Sequence, residues 1–285
     1  MTGDSSTKRL RFLTYMTPDI PLDTFCLLRN CIEDATGLET DLIVEDRFTG
    51  PPQGRADPFT ANHVDIMALH TSDYLRLKTQ GYDKMELCPA APVHKHPMTR
   101  DRPVYFSEVI IHASNRQKYK GMRDLKGCSW AYNQEESLSG NLIILKYLKN
   151  SLGANASYFG NIMQSGSHLN SIKMVRDYRA EAAAVDSTVL AGYLREHDDC
   201  AEKIISVLSL GPLPIYPLLF NTHLSDDLKQ RISDALLQMH KSHTWASKLN
   251  DIGISKYVAM DANLYRLEED MSTGVQGANI KQAYY

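Results

Sequence analysis

The first forty-five residues carry the pattern that most constrains this chain: strand, helix, strand, in the order that a parallel sheet requires. Arg9 to Tyr15 (RLRFLTY) is a short apolar, β-favouring run. After a Pro-containing turn, Leu22 to Ala35 places Phe25, Leu28 and Ile32 at helical spacing, with Gly37 as the C-cap. Thr40 to Glu45 (TDLIVE) then reads as a second strand. A βαβ unit of this kind builds a parallel sheet whose ligand groups sit at the carboxyl ends of the strands.

The same alternation continues. Phe48 to Pro58 is rich in Pro and Gly and reads as a loop. Val64 to Leu69 is a third strand, followed by a helix through Tyr74 and Leu77, and Leu87 to Pro103 is expected to be irregular. Tyr105 to His112 (YFSEVIIH) opens a second α/β set, with strands at Cys128 to Tyr132 and Ala182 to Val185. Its helices are expected at Ser139 to Lys149, Ser167 to Tyr178 and Ser187 to Arg195. Ile204 to Leu208 and Ile215 to Phe220 read as strands, Leu224 to His240 as an amphipathic helix, and the tail after Asp251 as partly helical. The expected organisation is a first lobe from 1–106 and 216–285 with a second lobe, 107–215, inserted in it. A single doubly wound domain also fits the strand order.

Composition excludes more than it assigns. The net charge of −3 marks neither a nucleic-acid nor a membrane-surface binder. No apolar stretch approaches the roughly eighteen residues of a transmembrane helix, so no direct membrane insertion is expected. The five cysteines form no Cys-x-x-Cys pair, which argues against a zinc knuckle or a redox motif. His94 and His96 lack a visible third metal ligand, and no metal or cofactor is expected. Nucleophile-elbow, phosphate-loop and dinucleotide signatures are missing, so no catalytic residue is assigned. The N-terminus shows no basic start followed by an apolar run, which predicts a cytoplasmic chain, or a periplasmic or secreted one if a leader was removed.

The most informative local feature is the turn from Trp130 to Gly140, ending in Ser137-Leu138-Ser139-Gly140 between a strand and a helix. The first N–H groups of a helix have no internal acceptors and carry partial positive charge, so they suit an anion. Hydroxyls there add donors, although Ser is equally an ordinary N-cap. His168 begins another helix with Ser165 and Ser167 beside it, and Asp186 ends a strand where it either meets a ligand or caps the next helix. Glu135 and Glu136 read as side chains that offset the helix dipole. Tyr15, closing the first strand, and His70, following the third, join the candidate set.

An ordered series of motifs resembles the phosphonate/phosphate-type (PhnD-like) substrate-binding proteins of ABC transporters. It runs Tyr105-Phe106-Ser107 with an apolar strand, Asp124-Leu125-Lys126-Gly127 before the next strand, then Ser137-Leu138-Ser139-Gly140. Weaker matches follow at His168 with Ser171-Ile172, at Ala182 to Ser187, and at Leu213-Pro214-Ile215-Tyr216-Pro217. The resemblance implies the type II periplasmic-binding-protein fold: two α/β lobes, each a mixed, mainly parallel sheet flanked by helices, joined by a hinge of two crossings. It places Ser137, Leu138, Ser139 and His168 around a ligand oxyanion and Tyr105 on the cleft near the hinge. Asp186 falls where a carboxylate receives an amino group. Leu138 stands where the family has a hydroxyl residue, and Tyr216 where aminophosphonate binders carry a carboxylate. Arg47 and Phe48 stand where some members place Tyr, so Arg47 offers a charge-assisted contact.

The function implied is binding of a small anion (phosphonate, phosphate ester, phosphite or similar) between the lobes, with a membrane transporter as partner if the chain is exported. The alternative is an intracellular enzyme using the same cleft, as in the pyrimidine-synthesis branch that shares this fold.

Overall fold

A computed structural model describes residues 9–52, 54 and 56–266. The chain divides into two compact units. Among the described residues, one combines those from 9 to 103 with Ile215–Ala262, and the other combines Val104–Pro214 with those from 263 to 266.

The first unit is built on β1 (Leu10–Thr14), α1 (Leu22–Thr36), β2 (Thr40–Val44), β3 (Ile66–Ala68), α2 (Thr71–Thr79), β4 (Met85–Leu87) and β5 (Ala90–His94). Helix α1 buries Phe25, Leu28 and Ile32, the stripe its spacing predicts, and Phe25 meets Phe12 of β1 edge-on at 6.2 Å. It stops at Gly37, whose φ of 69° suits a residue without Cβ and whose N–H donates to the Glu33 carbonyl.

The second unit contains β6 (Val104–His112), β7 (Ser129–Tyr132), a π-helical turn (Leu138–Leu142) leading into α3 (Ile143–Leu152), and β8 (Asn161–Gln164). It continues with α4 (His168–Arg176), β9 (Ala182–Asp186), α5 (Ser187–Glu196), α6 (Asp198–Ala201) and β10 (Ile204–Pro214). The chain then returns to the first unit with β11 (Leu218–Asn221), α7 (Asp226–Gln238), α8 (His243–Asp251) and β12 (Ile254–Ala259).

The first unit's main sheet has the order β2-β1-β3-β11-β4, and the second unit's has the order β10-β6-β9-β7-β8. In each, one strand runs against its neighbours: β11 between β3 and β4, and β6 between β10 and β9. Both are the first strands after a crossing. The two crossings are themselves neighbours: the Ile215 N–H donates to the Pro103 carbonyl, and Val104 pairs with Pro214. These are two-lobe α/β units of mixed, mainly parallel sheets.

Three regions depart from the sequence-based expectation. Ala90–His94 is a strand despite Pro92; among the described residues it pairs with β12 alone, and a proline without an N–H is tolerated in such a two-stranded sheet. The segment after Asp251, expected to be partly helical, holds the strand β12 and then a 3-10 turn at Ala262–Tyr265, and the part of that expectation beyond residue 266 lies outside the described residues. Six residues are too few for apolar periodicity to separate strand from helix. The helix expected from Ser139 starts instead as a π turn, for a reason found at the site.

Glu181 ties the start of β9 to β7. Its carboxylate accepts from Lys118 Nζ at 2.8 Å, from the Tyr119 hydroxyl and from the Ser129 N–H at 2.9 Å. Those bonds hold its pKa down to about 2, Lys118 contributing most. Because the folded value lies below the ordinary 4.5, the stabilisation is complete above that pH and fades as the pH falls through about 2. Glu181→Gln is therefore expected to cost about 1 kcal/mol at neutral pH, the pair being partly screened by solvent. In urea unfolding series, the gap between the two proteins should narrow steadily below pH 4.5.

Candidate ligand-binding site

The site begins where β7 ends. The Ser165 and Gly166 N–H groups donate to the carbonyls of Tyr132 and Asn133, which holds the turn after β7 against the turn after β8. Ser137 then caps the following helix. Its hydroxyl accepts from the Gly140 N–H at 3.1 Å, while its carbonyl accepts from the N–H groups of both Asn141 (3.1 Å) and Leu142 (2.9 Å). The second of those bonds spans five residues and makes the opening a π turn, a wider ring than an α turn. Leu138 and Ser139 thus begin the helix, where backbone N–H groups point outward without internal acceptors.

The turn is held from below. Ser107, buried in the middle of β6, donates its hydroxyl proton to the Ser139 carbonyl at 2.6 Å. Asn133 is 7% exposed and presses on Gly140 so closely that a Cβ there would lie 1.9 Å from Asn133 Oδ1. Glycine is required at 140 by that approach.

His168 is the first residue of α4 and is 4% exposed. Its Nε2 lies 3.1 Å from Asn133 Nδ2 and 3.4 Å from Ser139 Oγ, and its Nδ1 accepts from the Asp186 N–H at 3.3 Å. The ring therefore joins the ends of β7 and β9. Asp186 caps α5: Oδ1 accepts from the Thr188 N–H at 2.6 Å, the Thr188 hydroxyl at 2.7 Å and the Val189 N–H. Ser187 accepts from the Phe106 N–H, and Tyr105 shares a face of β6 with Ser107, two residues along the strand. Ser165 and Ser167 are structural: Ser165 bonds the Tyr132 carbonyl and the Ser171 hydroxyl, and Ser167 caps α4. Glu135 and Glu136 are exposed.

Ser137, Leu138, Ser139, His168 and Asp186 are thus brought together in the second unit, with Leu138 turning an apolar side chain inward. Tyr105 lies in the same unit on β6, and Tyr15, Arg47, His70 and Tyr216 lie in the first unit. Tyr15 is buried just beyond β1, its hydroxyl pushed up to about 12 by burial first, then by Glu45, Asp57 and Asp73. The Arg47 guanidinium is exposed and clasps the Glu45 carboxylate. His70 precedes α2 as its N-cap residue without a side-chain capping bond. The Tyr216 hydroxyl lies 2.8 Å from His94 Nε2. His96 Nδ1 accepts from the Met98 N–H, so His94, at the end of β5, and His96 serve different local bonds. Among the described residues no cluster of three His, Cys, Asp or Glu side chains could hold a metal. Sequence reasoning missed Ser107 and Asn133 as parts of this site. Both lie inside quoted motifs, yet nothing in their spacing marks a buried bond to a turn thirty residues away.

Residues 12–265 match the model of a family described as ABC transporter, phosphonate, periplasmic substrate-binding protein. The chain belongs to that family. Its fold is similar to a binding protein component of an ABC phosphonate transporter from Pseudomonas aeruginosa, with a TM-score of 0.74 and 15% identity over 97% of this chain and 91% of that one. It is also similar to PhnD1 from Prochlorococcus marinus in complex with methylphosphonate, with a TM-score of 0.71 and 14% identity over 95% and 99% of the two chains. A Xanthomonas citri protein bound to ATP follows at a TM-score of 0.60 and 13% identity, over 94% of this chain and 96% of that one. No curated protein matches the chain.

Membership makes this a substrate-binding protein with a small-molecule ligand, and it implies a membrane transporter as partner. The enzyme alternative gains no support from a family of binding proteins. The cytoplasmic placement drawn from the N-terminal residues is not supported either, because the family is described as periplasmic. Among the described residues no helix is long and apolar enough to cross a membrane.

Gly140→Ala is expected to lower stability by about 1–3 kcal/mol in urea unfolding, because the new Cβ meets Asn133 and the Ser137 hydroxyl in a packed site. Gly121→Ala is the control: no atom lies within 4 Å of a Cβ there and its φ of 179° is extended, so the change should be near neutral.

Proposed function

We propose that the cradle of the second unit binds the oxyanion of a small phosphonate, phosphate ester, phosphite or similar acid. One observation carries this reading: the Ser139 hydroxyl, the edge of the His168 ring and the opening of a helix converge at one point, with Ser107 bonded to the turn behind them. Helix N–H groups and hydroxyls stabilise negative charge without a counter-ion. A relative of the same fold is in complex with methylphosphonate, which supports the same ligand class here.

In this reading Asp186 serves as the cap of α5 and as the backbone N–H that orients His168, and Tyr105 flanks the cradle on β6. Leu138 supplies a backbone N–H and no hydroxyl. Tyr15, Arg47, His70 and Tyr216 are candidates within the first unit. The two adjacent crossings act as the hinge through which binding is signalled to the transporter.

The test is thermal denaturation with a panel of methylphosphonate, aminoethylphosphonate, phosphite, phosphate, a sulfonate and amino acids. A ligand at about 100 times its Kd should add about 2.7 kcal/mol of apparent stability. Ser139→Ala and His168→Ala should remove most of the shift. A protein that no anion stabilises, or whose response survives both substitutions, would overturn the reading.

A further inference from the structure

The cradle contains a buried polar group that neither the motifs nor the family resemblance assigns. Asn133 is 7% exposed, and while its Nδ2 lies 3.1 Å from His168 Nε2, its Oδ1 has no hydrogen-bond partner. That atom sits against the first turn of the helix: the missing Cβ of Gly140 would fall 1.9 Å from it, and that same Cβ would lie 3.0 Å from Ser137 Oγ. A buried polar end without a partner is costly, and in a native site it calls for an occupant.

The orientation of the amide follows from the histidine. A backbone N–H can only donate, so His168 Nδ1, which faces the Asp186 N–H, is the acceptor. The ring proton of a neutral imidazole then sits on Nε2. Nε2–H opposite an amide NH2 would set donor against donor. The two ends of a carboxamide are told apart by their partners, and a half-turn places the Asn133 oxygen on Nε2–H. The end left over, beside Gly140 and the Ser137 hydroxyl, is the NH2 group.

We propose that Asn133 is a ligand-contacting residue of this site, its carboxamide NH2 donating to an oxygen of the bound anion. This rests on the anion-binding reading above and deepens it. The chain Asp186 N–H to His168 to Asn133 makes every group that faces the anion a donor. Leu138 leaves the turn one hydroxyl short of the pattern it resembles, and Asn133 supplies a neutral donor next to it. A cradle of donors alone favours a fully ionised oxyanion over one that must itself donate a proton.

The experiment is isothermal titration of the full chain with methylphosphonate, phosphite and phosphate, for the wild type, Ser139→Ala, Asn133→Ala and Asn133→Asp. Asn133→Ala should weaken binding about tenfold, the loss of one hydrogen bond to a charged group. Asn133→Asp keeps the shape and sets a carboxylate against the anion, so its loss should be larger, about a hundredfold or more. Melting curves without ligand identify a variant that fails to fold, in which case the other variant decides. If the wild type binds an anion and Ser139→Ala loses it, while a folded Asn133 variant binds within about threefold of wild type, the assignment of Asn133 is overturned and the cradle stands. If the wild type binds none of the three, both readings fall. Equal or tighter binding by Asn133→Asp would also overturn it, because the group facing the anion would then be an acceptor's place.

Discussion

The second unit's site depends on one buried bond, from the Ser107 hydroxyl to the Ser139 carbonyl at 2.6 Å. A helix that opens toward a ligand leaves its first N–H groups unpaired, and such an end is stable only if the backbone behind it is held. Here the holding comes from the middle of β6, the strand that runs against its neighbours in the sheet. Ser107 is wholly buried, so breaking that bond would strand a carbonyl away from water. The π turn fits the same account. With Ser139 drawn toward β6, the Ser137 carbonyl accepts from both Asn141 and Leu142, and the first ring of the helix widens.

The resulting electrostatics are those of dipoles. Ser137, Ser139, Asn133 and His168 are neutral polar groups around a helix start, and Arg47, in the first unit, is bonded to Glu45. Arranged donors bind an anion by geometry, so small errors of position are expensive and the supporting bonds matter as much as the contacts. The His168 ring is held by Asp186 behind and Asn133 in front, and Asn133 has room only because residue 140 lacks a side chain.

Much of this was legible in the sequence, and the reasons for what was not are local. The Phe25, Leu28, Ile32 stripe and Gly37 announced α1 because helical period and a left-handed cap are properties of neighbouring residues. Ser137, Ser139 and His168 could be placed because strand-to-helix starts have their own residue preferences. The strand at Ala90–His94 was hidden by Pro92 and by a partner, β12, more than 150 residues later in the chain. Ser107 and Asn133 were hidden for the same reason: their roles are bonds to Ser139 and His168, made only when separate strands are brought side by side.

Asp186 has a structural role in the fold beside the one that the resemblance implies. Family resemblance gave its carboxylate to an amino group of the ligand. In the fold, Oδ1 accepts two N–H groups and a hydroxyl at the start of α5, while the backbone N–H of the same residue orients His168. Charge at a helix N-terminus is favourable on its own account, so this carboxylate has a reason to exist without any ligand. Those bonds all fall on Oδ1, one of the two oxygens of the carboxylate. The donors proposed in the second unit are a physical basis for selecting the anionic end of the ligand, and the capping role of Asp186 stands beside the role that the resemblance gives its carboxylate.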